Sequence, residues 1–401
     1  MLNKQKDKVQ QEALSAWKSA NKIGTCEIIT GLGKTFIGLH ALYTMPQDDN
    51  IIHVFLAEVK DRRLDLMRDI DKYNKIFDRN VLADYNLEFN CYQTAYKWQS
   101  KSFGLVIADE IHDALSPAYS LFFKNNKYTS IIGLSATVNT GVSYHNSNGG
   151  SYTKGDLLKK IAPICYTYGL DKGILEGTSR KLDVYIINHK LDSINKTVAA
   201  GNKTKRFYQT EKQAYDYWDK EHKRAWFIED QEKRDLKIRI TSHKRSTILY
   251  NLDSKVNETI KLITKLDTRT ILFGNSLDAL LKVTPNVVSS RNSDDVNDMI
   301  RYKFEKEEIS LIGSFKKLKQ GANLPNIDNC IIMSYYSTDK DFIQRVGRLR
   351  QNNKIGNIFI FLTHETQEVV WFSKMFDNIT NLSMIYCDNV DDCLVKLSKI
   401  K

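Results

Sequence analysis

Glu27-Ile28-Ile29-Thr30-Gly31-Leu32-Gly33-Lys34-Thr35 runs from an apolar strand, through a turn holding two glycines, into a helical stretch over 36–42. Glycines let backbone amides close around phosphate oxygens, and the helix N-terminus adds the positive end of its dipole. The pattern predicts a P-loop for ATP. Thr30, Gly31, Leu32 and Gly33 form the cradle, Lys34 reaches the β- and γ-phosphates, and the Thr35 hydroxyl binds Mg²⁺. Ile28 stands where the usual pattern begins with a small residue, while Gly31, Gly33, Lys34 and Thr35 are all in place. For the motif alone, the plain alternative is a chance Gly-Lys-Thr turn.

Working outward, Leu105-Val106-Ile107-Ala108-Asp109-Glu110-Ile111-His112 is an apolar strand ending in two adjacent carboxylates, with Asp109 75 positions beyond Lys34. Strand tips of open α/β sheets are where ligands bind, so these acids arrive beside the P-loop if the two strands are neighbours. Asp109 is expected to hold Mg²⁺ through water, and Glu110 to orient and deprotonate an attacking water. Ser135-Ala136-Thr137 follows a strand over 130–134. Its hydroxyls, with His112, are placed to relay the nucleotide state to the rest of the chain. A packed histidine and an ordinary strand-to-loop turn are the competing structural readings.

Gln344-Arg345-Val346-Gly347-Arg348-Leu349-Arg350-Gln351 gathers three arginines around a glycine late in the chain. Arginine forks stabilise the charge on a phosphoryl group in transfer, and one reaching across a cleft makes hydrolysis depend on closure. A solvated basic helix would explain the charge, but not the strand before it over 329–333 or the segment Lys319-Gln320-Gly321-Ala322-Asn323-Leu324-Pro325.

Composition sets the frame for these motifs. A chain of 401 residues suits two α/β domains, each able to bury its own core, and 42% hydrophobic with 27% charged residues is a soluble globular balance. The longest apolar stretches, such as 355–362, are strand-sized, and the N-terminus is polar and lysine-bearing rather than signal-like. These features predict a cytoplasmic protein with no membrane partner. Cys26, Cys91, Cys165, Cys330, Cys387 and Cys393 are scattered without metal-ligand spacing, so neither a zinc site nor a disulfide framework is expected. The net charge of +11 favours polyanions; residues 196–245 hold 14 Lys or Arg against 8 Asp or Glu and so supply +6 of it.

Apolar runs at 27–29, 51–57, 105–108, 130–134, 184–187, 270–273, 310–313, 329–333 and 357–362 alternate with helical patterns. That alternation predicts parallel sheets flanked by helices, in an early and a late group. Residues 194–251 read mostly as helix with no strand alternation, and 140–155 as a Gly-, Ser-, Asn- and Tyr-rich mobile surface loop. With the junction near 171–181, the division is an ATP-binding domain over 1–175 and a second domain over 176–401, which carries a basic helical insertion at about 195–250.

Taken together and in this order, the motifs resemble those of superfamily 2 helicases over nearly the whole chain. The resemblance implies two RecA-like domains that hydrolyse ATP in the cleft between them. Gln10 looks like the upstream glutamine that reads adenine, 31–35 like motif I, and 109–112 like a DEIH variant of motif II. Residues 135–137 resemble motif III, 271–276 motif IV, 321–325 with Gly321 motif V, and 344–350 motif VI, with Gln344, Arg345 and Arg348 catalytic. The family's second finger position is Gln351 here, so Arg348 is the first finger and Arg345 and Arg350 compete for the second role.

The Pro-Thr-Arg-Glu-Leu-Ala signature of DEAD-box RNA helicases is replaced by Leu56-Ala57-Glu58-Val59-Lys60, and about fifty residues follow motif VI. The layout is similar to small phage-type helicases that remodel branched DNA, which implies a monomer acting on forked or branched DNA rather than RNA. Backbone phosphates would be met by Lys60, Arg62, Arg63, Lys205, Arg206 and Arg245, with Tyr92, Trp98, Tyr208, Tyr217, Trp218 and Trp226 as base-stacking candidates that compete with core packing. The rival readings are an RNA helicase, a nucleotide-gated clamp that binds without unwinding, and a metabolic P-loop kinase. The last leaves the late arginine motif unexplained.

Overall fold

The computed structural model describes residues 2–58, 62–138, 140–145, 150–201, 204–315, 326–334, 342, 349, 355–376 and 381–400. They form two compact units, Met1–Ser179 and Arg180–Lys401.

The strands of the first unit are β1 (Ile23–Ile28), β2 (Ile52–Ala57), β3 (Asn86–Cys91), β4 (Ser102–Asp109), β5 (Lys127–Ser135), the short pair β6 (Ser143–His145) and β7 (Ser151–Thr153), and β8 (Ile164–Tyr168). Among the described residues, all but β6 and β7 make a parallel sheet in the order β3-β2-β4-β5-β1-β8. Helices Leu2–Ser19, Lys34–Leu42, Arg62–Phe77 and Lys154–Ile161 accompany it. β4 is buried from Phe103 to Asp109, because a parallel strand covered on both faces needs a continuous apolar run rather than an alternating one. Val106, Ile107 and Ala108 are wholly inaccessible; each large aliphatic side chain so buried stabilises the unit by about 1.5–3 kcal/mol.

The second unit contains β9 (Leu182–His189), the hairpin β10 (Val198–Gly201) and β11 (Arg206–Gln209), then β12 (Thr270–Phe273), β13 (Val287–Ser289), β14 (Leu311–Phe315), β15 (Asn329–Ile332), β16 (Gly356–Thr363) and β17 (Ser383–Cys387). Its parallel sheet runs β13-β14-β12-β15-β16-β9-β17 among the described residues. Both sheets, flanked by helices, are of the RecA-like kind.

Between β11 and β12 stand two long helices. Glu211–Ala225 starts from a reciprocal Thr210–Gln213 capping box, and Gln231–Tyr250 from an Asp230 cap. They rest on a small core of Tyr215, Leu249 and Leu252, with Trp371 packed against it. No helix among the described residues is long and apolar enough to cross a membrane.

Several sequence expectations need correction. Residues 194–251 are not helical throughout: β10 and β11 form an antiparallel hairpin there, with Gly201 at φ 91°. The stretch 140–155 is not simply a loop, since β6 pairs with β7 and Thr153 and Asp156 then build a capping box for the next helix. β3, β8, β13 and β17 are absent from the sequence reading. All four lie at sheet edges, where one-sided burial leaves mixed sequences such as Asn-Leu-Glu-Phe-Asn-Cys.

Candidate active site of the first unit

β1 delivers the glycine turn to one end of its sheet. Gly31 and Gly33 take φ of 93° and 79°, the left-handed region that side-chain-bearing residues avoid. At Gly33 a Cβ would also come within 2.6 Å of Gln10 Nε2, and that same amide donates to the Leu32 carbonyl at 2.8 Å. Gln10, buried on helix Leu2–Ser19, therefore braces the loop from behind. Thr30, Gly31, Leu32, Gly33, Lys34 and Thr35 follow one another from strand to turn to helix start, with the helix beginning at Lys34.

The acids come from β4, which is not the neighbour of β1; β5 lies between them. Register explains how the two tips still converge: Asp109 pairs with Leu134 and Glu27 with Ser135, so the end of β5 is flanked by both. Gly133 permits this approach, because a Cβ there would strike Thr25 Oγ1 and Ile111. As a result Lys34 Nζ lies 3.5 Å from Glu110 Oε1 and 3.4 Å from the Ile28 carbonyl. Glu110 itself has φ 47°, a backbone state that costs on the order of 1–3 kcal/mol and clusters at functional positions.

Ser135 ties the acids to the segment that follows β5. Its hydroxyl lies 2.8 Å from His112 Nδ1, 3.4 Å from Glu110 Oε2 and 2.7 Å from the Thr137 carbonyl. A hydroxyl has one proton; with it donated to Thr137, Ser135 accepts from the His112 Nδ1–H. His112 is buried, with Nε2 3.2 Å from Asp113 Oδ1. The Thr137 hydroxyl is buried without a hydrogen-bond partner among the described residues. Glu27 and Lys154 complete the arrangement, the first accepting from Val138 N at 2.7 Å and the second donating to the His112 carbonyl at 2.9 Å.

Arg62, expected at a nucleic-acid phosphate, is turned inward. Rather than facing solvent for a nucleic-acid phosphate, it donates from Nε to Asp109 Oδ2 at 3.0 Å and from Nη2 to Thr35 Oγ1 at 3.3 Å, with Asp65 at 3.6 Å. Thr35 and Asp109 are both buried, and an unneutralised carboxylate at that depth would be costly. Asp69 joins them: burial pushes its carboxyl up, while the Thr35 hydroxyl and Arg62 draw it down.

Two further nucleic-acid candidates are buried. Arg245 is 8% exposed and locked at 2.6 Å to Asp219 inside the paired helices. Tyr92 is 1% exposed, donates its hydroxyl to the Asp109 carbonyl at 2.8 Å, and its phenol is pushed up by burial and then by Asp109. Trp98 packs against the first core and Trp218 is half-buried, whereas Tyr208, Tyr217 and Trp226 are exposed.

Arg63 is exposed on its helix, and Lys205 and Arg206 are exposed where the β10–β11 hairpin turns back. Lys60, Gly321, Gln344, Arg345, Arg348, Arg350 and Gln351 lie outside the described residues. Sequence reading missed Glu27, Asp69, Tyr92 in its second role, and Lys154. Each acts through a partner distant in the chain, for which no local signal exists.

An oxygen pair drawn from a buried hydroxyl and a buried carboxylate, already facing a guanidinium, is chemistry that suits a hard divalent cation. This site on this sheet defines a RecA-like nucleotide-binding protein. Residues 3–140 match the family described as type III restriction enzyme, res subunit. The chain is 22% identical over 391 residues to the DNA 3'-5' translocase XPB2 of Sulfurisphaera tokodaii, an alignment covering 90% of this chain and 84% of the relative.

In fold it is similar to the type ISP restriction-modification enzyme LlaBIII bound to DNA (TM-score 0.59, 14% identity), covering 98% of this chain but 32% of that one. It is also similar to Saccharomyces cerevisiae Dbp5 bound to RNA and ADP BeF3 (TM-score 0.58, 13% identity, 98% and 92% covered) and to the Pyrococcus furiosus Hef helicase domain (TM-score 0.53, 12% identity, 90% and 96% covered). The chain is thus similar in sequence to a restriction-enzyme subunit over 3–140 and to a DNA translocase over most of its length, and it shares its RecA-like fold with helicases.

Proposed function

We propose that the protein is an ATP-dependent DNA helicase or translocase that remodels forked or branched DNA, as a cytoplasmic monomer, with ATP hydrolysed between its two RecA-like halves. The observation that carries the catalytic part is the facing of Lys34 and Glu110 at 3.5 Å beside the pair Thr35 and Asp109. DNA as the polymer is supported by the 22% identical relative that is itself a DNA translocase. The remodelling of branches rests on the compact layout, similar to phage-type branch-migration helicases, and on the paired helices between β11 and β12.

In this reading the divisions at 1–175 and 176–401 are the two motor halves. Gln10 and the loop 30–35 hold the nucleotide. Lys34 meets the β- and γ-phosphates with its ammonium, and Thr35 and Asp109 would hold Mg²⁺, which would supply positive charge against the negative charge developing on the phosphate oxygens. Glu110 orients a water and takes its proton, with Lys34 3.5 Å from one of the carboxylate's oxygens. His112, Ser135 and Thr137 carry the occupied or vacated state of Glu110 into the chain beyond β5. Arg345, Arg348, Gln344 and Gly321 approach from the second half, so the catalytic set is complete only when the halves close.

The test is strand separation on forked DNA, plain duplex DNA and an RNA fork, each with ATP and with a non-hydrolysable analogue. Unwinding of the DNA fork that requires hydrolysis is expected. ATP turnover without any strand separation or translocation would replace the motor by a gated clamp, and a preference for the RNA fork would move the protein to the RNA enzymes.

Exposed Lys205 and Arg206 give a second expected result. In the Lys205→Ala, Arg206→Ala double variant, the slope of log affinity for DNA against log salt becomes shallower by about 1–2, the number of phosphates released times roughly 0.7–0.9. An unchanged slope in fluorescence-anisotropy titrations would take this hairpin off the DNA-contact surface.

A further inference from the structure

The guanidinium of Arg62 stands on the same two oxygens that the ATP site needs for a divalent cation. It contacts Asp109 Oδ2 at 3.0 Å and Thr35 Oγ1 at 3.3 Å. A guanidinium and a divalent cation repel each other, so crowding both against the same carboxylate and hydroxyl is costly even though those groups keep further lone pairs free. The local sequence supplies Arg62 with a second anchor. Asp65, one helical turn on, lies 3.6 Å from Nη1, and Asp69 adds a further favourable charge close by. Arg62 opens helix Arg62–Phe77, so rotation of its side chain leaves the helix and sheet in place.

We infer that Arg62 is a metal-displaced latch: its guanidinium and Mg²⁺ are alternative partners of Thr35 and Asp109, and metal entry moves Arg62 onto Asp65. Arg62 is thus a positioning residue that sets how strongly the site distinguishes Mg-nucleotide from free nucleotide. In the latched state it keeps the buried Asp109 neutralised, and it thereby taxes metal entry. In the released state it adds a cation to Arg63 on the exposed start of the helix. The inference rests on the assignment of Thr35 and Asp109 to the metal.

The experiment measures ADP affinity by calorimetry in excess Mg²⁺ and in EDTA, and takes the ratio as the metal–nucleotide coupling. Because Arg62 competes with the metal and is also a cation for free nucleotide, Arg62→Ala is expected to raise this ratio about fivefold or more. Arg62→Lys, a single point charge lacking the fork, should fall between Arg62→Ala and the unaltered protein. Asp65→Asn removes the second anchor, holds Arg62 on Asp109, and lowers the ratio. Opposite signs from Arg62→Ala and Asp65→Asn are the signature, which a merely structural role for either residue would not produce.

An unchanged or lowered ratio in Arg62→Ala, or a raised one in Asp65→Asn, overturns the latch. Thr35→Ala separates the underlying assignment. A collapse of the ratio toward one sustains the metal site whatever Arg62 does, whereas a ratio untouched by Thr35→Ala removes the metal site and the latch with it.

Discussion

Glu110→Gln is expected to lower nucleic-acid-stimulated ATP turnover by at least about a hundredfold, and Lys34→Ala by about 10²–10³. The two substitutions fail for different reasons, and the geometry separates them. A glutamine in place of Glu110 keeps the shape of the side chain, but an amide cannot take a proton from water. Nucleotide affinity should stay within a fewfold of the unaltered protein. Lys34 sits 11% exposed at the head of its helix, 3.5 Å from Glu110 and 3.4 Å from a backbone carbonyl. Its loss removes a fixed cation from a poorly solvated site, so both affinity and turnover fall. Steady-state phosphate release with single-stranded DNA, beside nucleotide binding measured separately, distinguishes the two. Turnover above about a tenth of normal in both variants would be incompatible with Glu110 as the base and Lys34 as the phosphate ligand.

How much of this was legible in the sequence follows from how local each feature is. Strands β2, β4, β5, β12, β15 and β16 were found because strands covered on both faces must be apolar throughout, as Val54 to Ala57 and Ile358 to Leu362 are. The glycine turn after β1 is legible because strand, turn and helix start are contiguous, and the dihedral requirement at Gly31 and Gly33 acts on those residues themselves. The two acids at the end of β4 are legible, but their route to the glycine turn is not. Sequence cannot tell that β5 lies between β4 and β1, or that Gly133 is small so that Thr25 and Ile111 can approach.

Charge was the least faithful signal. Arg62 and Arg245 look like any surface arginine in one dimension, yet one is committed to Asp109 and the other to Asp219. In the other direction, the hairpin of Val198–Gly201 and Arg206–Gln209 hid within a stretch whose charge density suggested helix. Its strands are four residues each, too short for a two-residue alternation to stand out.

The largest effect on stability is expected at Lys255. This lysine is 2% exposed and its partner Glu368 is wholly buried, with Nζ at 2.8 and 3.0 Å from the two carboxylate oxygens. Lys255→Met fills much of the same volume but strips the buried carboxylate of its counter-charge, which costs about 3–5 kcal/mol. Adding Glu368→Leu removes the stranded charge, so the double variant regains part of that loss. Recovery stays incomplete, because Glu368 also accepts the Thr363 amide at 3.0 Å, and an unpaired buried N–H costs about 1–3 kcal/mol.

The pair also bears on the motor, since helix Gln367–Phe376 receives the insertion: the Gln367 amide donates to the Tyr215 hydroxyl at 2.7 Å, and Glu211 accepts from Ser254 beside Lys255. Urea unfolding followed by a probe in the second unit should show Lys255→Met least stable and the double variant intermediate. A single-variant loss below about 1 kcal/mol would mean that the carboxylate finds water or another cation at no cost. In that case Lys255 would not be what fastens the paired helices to their sheet.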